Sequence, residues 1–205
     1  MLIRSSDDEA IGMGGTIAKY VAEGKKVVKV VFSHGEKSIP HLQEAVVKKA
    51  RFQETDKASI YIGISSCKNL GLRDTRLRSD VQKPFVIRRL REMIMLIRPE
   101  KIYVPSALDP HPDHQAVNKI VFQVVKSLKR HYPLYAYEVW NVVRETHPQV
   151  YVDISPYIKI KMVYIKMFKS QWVYMLSLYL PTLFRSFYYG RKNNCQYAER
   201  FYKLK

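Results

Sequence analysis

The feature that most constrains this chain is an alternation of short β-branched runs with longer stretches of helical periodicity. After a strand at residues 2–5, a helical pattern over residues 10–23 follows a glycine-rich entry. Residues 26–32, Lys-Val-Val-Lys-Val-Val-Phe, form a strand ending at Ser33-His34-Gly35. Residues 40–58 carry a helical face on Leu42, Ala45, Val46, Ala50 and Phe52, and residues 60–64 are a second buried-type strand. A polar connector then runs through Cys67 and Leu70-Gly71-Leu72-Arg73-Asp74. Val86, Leu90, Met93, Ile94 and Ile97 predict a helix over residues 79–98, stopped by Pro99. A strand at 101–105 leads to a helix over 113–130, with Val117, Ile120, Val121, Val124 and Leu128 as its buried stripe. Residues 135–140 and 150–154 are two further strands. Such alternation predicts an α/β chain with a mainly parallel sheet and helices on both faces.

No repeat, low-complexity stretch or linker divides the chain, so its 205 residues are expected to form one domain with a substantial core. The carboxyl-terminal part differs in character. Residues 156–205 hold ten Lys or Arg and a single acid, Glu199, around an apolar aromatic stretch at 172–189 that contains Pro181. We read this region, from about residue 156, as helical. It suits packing on the sheet, homo-oligomer contact or contact with a membrane surface better than a membrane span. The whole chain has 35 Lys plus Arg against 18 Asp plus Glu, a net charge of +17. That balance either favours anionic partners or is a solvated basic surface. No nucleic-acid motif accompanies it, so no nucleic-acid partner is expected. Cys67 and Cys195 are too few and too far apart for a disulfide framework, and the start has no signal-peptide pattern; the expected location is cytoplasmic.

Two polar knots follow strands. Asp7-Asp8-Glu9 opens the first helix, and Asp109-Pro110-His111-Pro112-Asp113-His114 follows the strand at 101–105. In a parallel sheet of order 3-2-1-4-5, the reversal lies between strands 1 and 4, and ligands bind outside the carboxyl ends there. That topology brings the two knots together. Adjacent carboxylates that both stay ionised usually have a cation nearby, and oxygen and imidazole ligands together suit Zn²⁺. The same residues also fit plainer roles: Asp7 and Asp8 as favourable charges at a helix N-terminus, Asp113 as an N-cap, and a histidine at the surface. Gly12-Met13-Gly14-Gly15 lacks the Gly-x-Gly-x-x-Gly spacing, and two acids at that turn would repel a pyrophosphate. The glycines instead suit close approach of the first helix to the sheet.

Residues 7–17 and 105–116 resemble signatures of the PIG-L/LmbE family of zinc-dependent N-acetylglucosaminyl deacetylases. Arg51-Phe52-Gln53-Glu54, Leu70-Gly71-Leu72-Arg73-Asp74, Tyr137-Glu138-Val139-Trp140 and Tyr197-Ala198-Glu199-Arg200-Phe201 add to the resemblance in family order. It implies a Rossmann-like three-layer sandwich and hydrolysis of an N-acetylated amino sugar or its conjugate. By the same resemblance Asp7 is the general base, Asp8 and His114 are zinc ligands, and His111 acts on the oxyanion and leaving amine, oriented by Asp113. Arg51 and Asp74 are implied sugar contacts, with ion-pair roles as the alternative.

The chain departs from the family at one position. The family writes His-Pro before Asp-Asp-Glu, and that His is the third zinc ligand; here Arg4-Ser5-Ser6 stands there, with Ser5 at the ligand position. A neutral hydroxyl is a poor substitute for imidazole at zinc. Three readings follow: a zinc-dependent deacetylase, with His34 as a replacement ligand to be considered; a metal-poor relative that binds sugar or partners without catalysis; and a binder of anionic surfaces built on charge.

Overall fold

The computed structural model describes residues 2–4, 7–33, 35, 43–74, 76–140 and 146–205. Strand β1 (Leu2–Arg4) runs into α1 (Asp8–Ala22), followed by β2 (Val28–Val31), α2 (Glu44–Ile62) and β3 (Ser66–Asn69). A short α3 (Leu77–Asp80) precedes α4 (Pro84–Ile97), then β4 (Ile102–Pro105), α5 (Pro112–Ser127) and β5 (Leu134–Tyr137). The chain ends with β6 (Gln149–Asp153), α6 (Ile158–Lys166), α7 (Trp172–Lys192) and β7 (Ala198–Lys203).

The strands form one sheet in the order β3-β2-β1-β4-β5-β7-β6. β3 through β5 pair in parallel, with Leu2 opposite both Lys29 of β2 and Tyr103 of β4. The last two strands pair antiparallel, Tyr137 with Phe201 and Val150 with Phe201. The expected parallel sheet is therefore the five-strand part of a seven-strand mixed one. The carboxyl-terminal region is also not helical throughout, because it returns as β7 between β5 and β6. Its alternation explains the insertion: Phe201 packs with Tyr103 and α1, whereas Tyr202 packs against Ala136.

Both faces of the parallel part are covered at β4, which is buried at every position. Ile102 and Val104 pack under α4 and α5 with Val86, Leu90, Ile94, Val117, Val121 and Val124. Tyr103, between them, points to the other layer, where α1, α2 and α6 contribute Ile17, Ala58 and Ile165. β3 is an edge strand with exposed Cys67 and Lys68, so it lacks the apolar run that marks a buried strand.

Residues 60–64 are not a strand. The helical face Val47, Arg51, Ala58 and Ile62 carries α2 to Ile62, while Ile60 and Tyr61 are exposed. Gly63 closes the helix in the left-handed conformation, φ 83°, its N–H reaching the Ile60 carbonyl. The helix expected over 79–98 is likewise divided, since Pro84 starts α4 at a position where its missing N–H is harmless.

α1 is broken internally at Met13 (φ −152°, ψ 19°). This leaves backbone N–H groups of the following turn without helical acceptors. Glu199 of β7 supplies them, accepting from Gly15 N at 2.9 Å and Thr16 N at 2.7 Å. Lys161 of α6 completes the set, its Nζ 2.6 Å from the same carboxylate. Burial lowers the Lys161 pKa, while Glu199 opposes that shift. Close approach is obligatory here: a Cβ on Gly12 would lie 2.8 Å from the Glu138 carbonyl, and one on Gly15 would lie 2.6 Å from Ile154.

A candidate active site at the β1 and β4 ends

The reversal in strand order falls between β1 and β4, and the residues that follow each strand meet there. Asp7 is the N-cap residue of α1 and Asp8 its first helical residue; both are buried. Beyond β4, Ser106 N donates to the Tyr137 carbonyl at 2.8 Å, and Asn118 of α5 donates to the Pro105 carbonyl at 2.7 Å. These bonds fix the loop that carries Asp109 and lead it into α5 at His111.

His111 and His114 stack, with ring centroids 4.7 Å apart and planes 22° from parallel. Their nitrogens have different partners. His111 Nδ1 accepts from the Asp113 backbone N–H at 3.2 Å, which leaves Nε2 to carry the proton of the neutral ring. His114 Nδ1 lies 2.6 Å from Asp109 Oδ1, and its Nε2 lies 3.8 Å from Asp8 Oδ1. A carboxylate at Nδ1 holds the proton there and leaves Nε2 with its lone pair. The two rings are thus set in opposite tautomers, one suited to donate and one to ligate.

Asp109 is almost wholly buried. Burial pushes its pKa up, but the hydrogen bond to His114 and the N–H groups of His111 and Trp140 oppose burial, and it lies below the ordinary carboxylate value. Those N–H groups lie 3.0 Å and 3.3 Å from its oxygens. The sequence reading gave Asp109 no role. Its only signal was membership of the acidic-histidine knot, because spacing does not say which acid in the knot faces which imidazole.

Arg51, from α2, is buried and places Nη2 3.2 Å from Asp7 Oδ2, while Nη1 donates to the Gly35 carbonyl at 2.9 Å. The ion-pair role is thus present. Glu9, the third acid of the motif, is a structural anchor: it pairs with Lys29 of β2 and accepts from Tyr164 of α6 at 2.7 Å. Burial raises the Glu9 pKa, with Lys29 and Tyr164 opposing, and burial followed by Glu9 raises that of Tyr164 well above normal. Asp113 is buried at the start of α5, where its backbone N–H orients His111. Asp74 is largely buried in the connector after β3, the outermost strand, two places from β1. Ser5 and His34 lie outside the described residues.

The donor chemistry of Asp8 and His114 suits a divalent metal: a carboxylate oxygen faces an imidazole nitrogen whose tautomer is fixed from behind. Among the described residues no group of three His, Cys, Asp or Glu forms a metal-ligand set. A cavity of about 460 Å³ lined by Tyr20, Lys25, Val28, Arg98, Lys101 and Tyr103 opens at the opposite edge, where the strands begin. It is remote from the two knots and is not the site of this chemistry.

Comparison with known proteins gives the family and the fold. The profile of the PIG-L family, described as GlcNAc-PI de-N-acetylase, matches residues 6–125. A diacetylchitobiose deacetylase of Thermococcus kodakarensis is 26% identical, covering 94% of this chain and 78% of its own. The fold is similar to that of the conserved protein TT1542 from Thermus thermophilus, with TM-score 0.85 at 23% identity over 100% of this chain and 94% of that one. It is also similar to N,N′-diacetylchitobiose deacetylase from Pyrococcus horikoshii, with TM-score 0.82 at 21% identity over 99% of this chain and 82% of that one. A 4-carboxy-2-hydroxymuconate hydratase from Pseudomonas putida shares the fold at TM-score 0.81 and 22% identity, over 100% of this chain and 95% of that one. Fold alone therefore does not decide the reaction.

Proposed function

The chain belongs to the PIG-L family, and from that premise we propose that it hydrolyses the N-acetyl group of an N-acetylglucosamine-type substrate, free, lipid-linked or conjugated. The products are acetate and a free amine. The observation that carries this reading is the opposed setting of His111 and His114 beside the Asp7-Asp8 pair.

Asp8 and His114 would hold the metal, in this reading zinc, with Ser5 at the position of a third ligand. When bound, such an ion supplies Lewis-acid polarisation of an acetamide carbonyl and acidifies water. The side chains do the rest. Asp7 takes the proton of the attacking water, and Arg51 beside it holds that carboxylate in line. His111, with its proton on Nε2, donates a hydrogen bond to the oxygen on which charge develops and stands beside the departing amine, which takes the proton that Asp7 received from water. The Asp113 N–H keeps His111 in that tautomer, and Asp109 does the same for His114. Arg51 and Asp74 are the proposed contacts to the sugar.

Incubation of the protein with zinc and N-acetylated amino sugars tests the reading. Acetate release is expected, and Asp7→Asn should abolish it while leaving metal content unchanged. Release that survives Asp7→Asn would overturn the assignment of the base.

Ser5 favours a second reading, in which the chain binds metal weakly and acts as a sugar-binding or interaction protein. Near-stoichiometric zinc after purification would exclude it.

A further inference from the structure

α7 carries an apolar stripe on its solvent side. Val173, Leu176, Leu180 and Phe184 are 57%, 68%, 58% and 71% exposed, and Phe187 continues the line. Spacings of three and four place these side chains on one face of the helix. The opposite face is the one that packs, with Thr182, Ser186 and Tyr189 buried and Arg185 donating to the Val139 carbonyl at 3.2 Å. A row of large apolar groups left in water along four turns is not accounted for by the fold. On α6, Ile160 and Val163 are also exposed.

The rim of the stripe is basic. Lys166 and Lys169 precede α7, Arg191 and Lys192 end it, and all four are exposed. Arg191 and Lys192 lie over the rings of Phe187 and Tyr188, at 5.1 Å and 4.8 Å from their centroids. The acids near α7 are engaged elsewhere, Glu138 with Arg200 and the Tyr189 hydroxyl. Glu199 is buried with Lys161, and Glu54 of α2 accepts from the Ser170 N–H at 2.8 Å and from its hydroxyl at 2.6 Å.

We propose that this face of α7 docks on an anionic lipid surface, with the apolar stripe entering the interface and the basic rim meeting the headgroups. Charge selects this occupant. A second copy of the chain would bring the same cations to the same rim on a body of net charge +17, whereas anionic headgroups complement them. No helix among the described residues is long and apolar enough to cross a membrane, which makes the contact peripheral. The docked helix sits next to the candidate active site: Val139, held by Arg185, precedes Trp140, whose N–H holds Asp109. The inference does not depend on which reaction the site performs.

Co-sedimentation of the full chain with phosphatidylcholine vesicles, with and without about one third phosphatidylglycerol, is the test. Binding to the anionic vesicles alone is expected, weakening about tenfold or more as salt rises from low to molar concentration. The double substitution Leu180→Glu, Phe184→Glu should reduce it about tenfold or more, with the thermal unfolding midpoint unchanged because both positions are exposed. Leu96→Glu, at an exposed apolar position on α4, should leave it intact. Absence of binding, equal binding to neutral vesicles, or binding indifferent to the double substitution would overturn the proposal. So would a concentration-dependent doubling of mass that the same substitutions abolish, since a second copy would then cover the face.

Discussion

Asp109 Oδ1 lies 2.6 Å from His114 Nδ1, with both side chains buried and the Asp109 pKa below the ordinary carboxylate range. This pair sets which nitrogen of His114 faces Asp8. Asp109→Asn keeps the shape but removes the charge, and zinc affinity should fall about 10–100-fold. Competition with a chelator of known affinity measures it. An unchanged affinity would remove Asp109 from the proposed site.

Ser5→His restores an imidazole where the family has a ligand. A ligand should matter at least as much as its outer partner, so metal affinity should rise about tenfold or more, with deacetylation rising in parallel. Metal content of the two proteins, purified side by side, decides the point. Equal content would show that Ser5 is not the position that limits binding.

Glu199 joins the last strand to the interrupted first helix through Gly15, Thr16 and Lys161. Glu199→Ala leaves a buried cation and two N–H groups without their acceptor and should destabilise the protein by about 3–5 kcal/mol. Adding Lys161→Met should recover part of that loss, because the stranded charge is the larger penalty. Urea unfolding of the single and double variants reads both; full additivity of the two substitutions would contradict the pairing.

Asp80, at the end of α3, is buried between Arg73, with oxygens 2.8 Å and 3.0 Å from its guanidinium, and Lys83 at 2.8 Å. The Arg73 hydrogen bonds first, and then Lys83, hold its pKa well below the ordinary carboxylate value. A depressed folded-state pKa contributes stability that is full above the unfolded value of about 4 and is lost as the pH falls toward the folded one. Asp80→Asn should therefore lower stability at neutral pH, and its difference from the parent should shrink on acidification below about pH 4. A difference that stays constant with pH would contradict the assignment. Exposure of Arg73 and Lys83 to solvent keeps the effect modest.

Much of the fold was legible in local pattern. The stripe Val86, Leu90, Ile94 and the stripe Val117, Ile120, Val121 each recur at helical spacing, and both are buried as read. Where the pattern misled, a competing local force explains it. Residues 60–62 are apolar enough for a strand, but they continue the face that begins at Val47, and Gly63 ends the helix only after them. β3 was missed because an edge strand needs no apolar run. The glycine-rich turn was read correctly as a device for close approach, since Gly12 and Gly15 have no room for a Cβ.

By itself the sequence determined the residue types at the site, the strand–helix alternation whose common strand order brings them together, and the departure at Ser5. Hydrophobic periodicity and turn chemistry are local, so they can be read along the chain. Only the tertiary structure decided which partner each polar group takes. It assigned Asp109 to His114, Arg51 to Asp7 and Glu199 to the break in α1, across separations of 5, 44 and 184 residues. It also placed β7 between β5 and β6, and it left the apolar stripe of α7 facing outward. Those outcomes depend on which surfaces remain uncovered after the sheet has formed, and that is a property of the packed chain rather than of any segment in it.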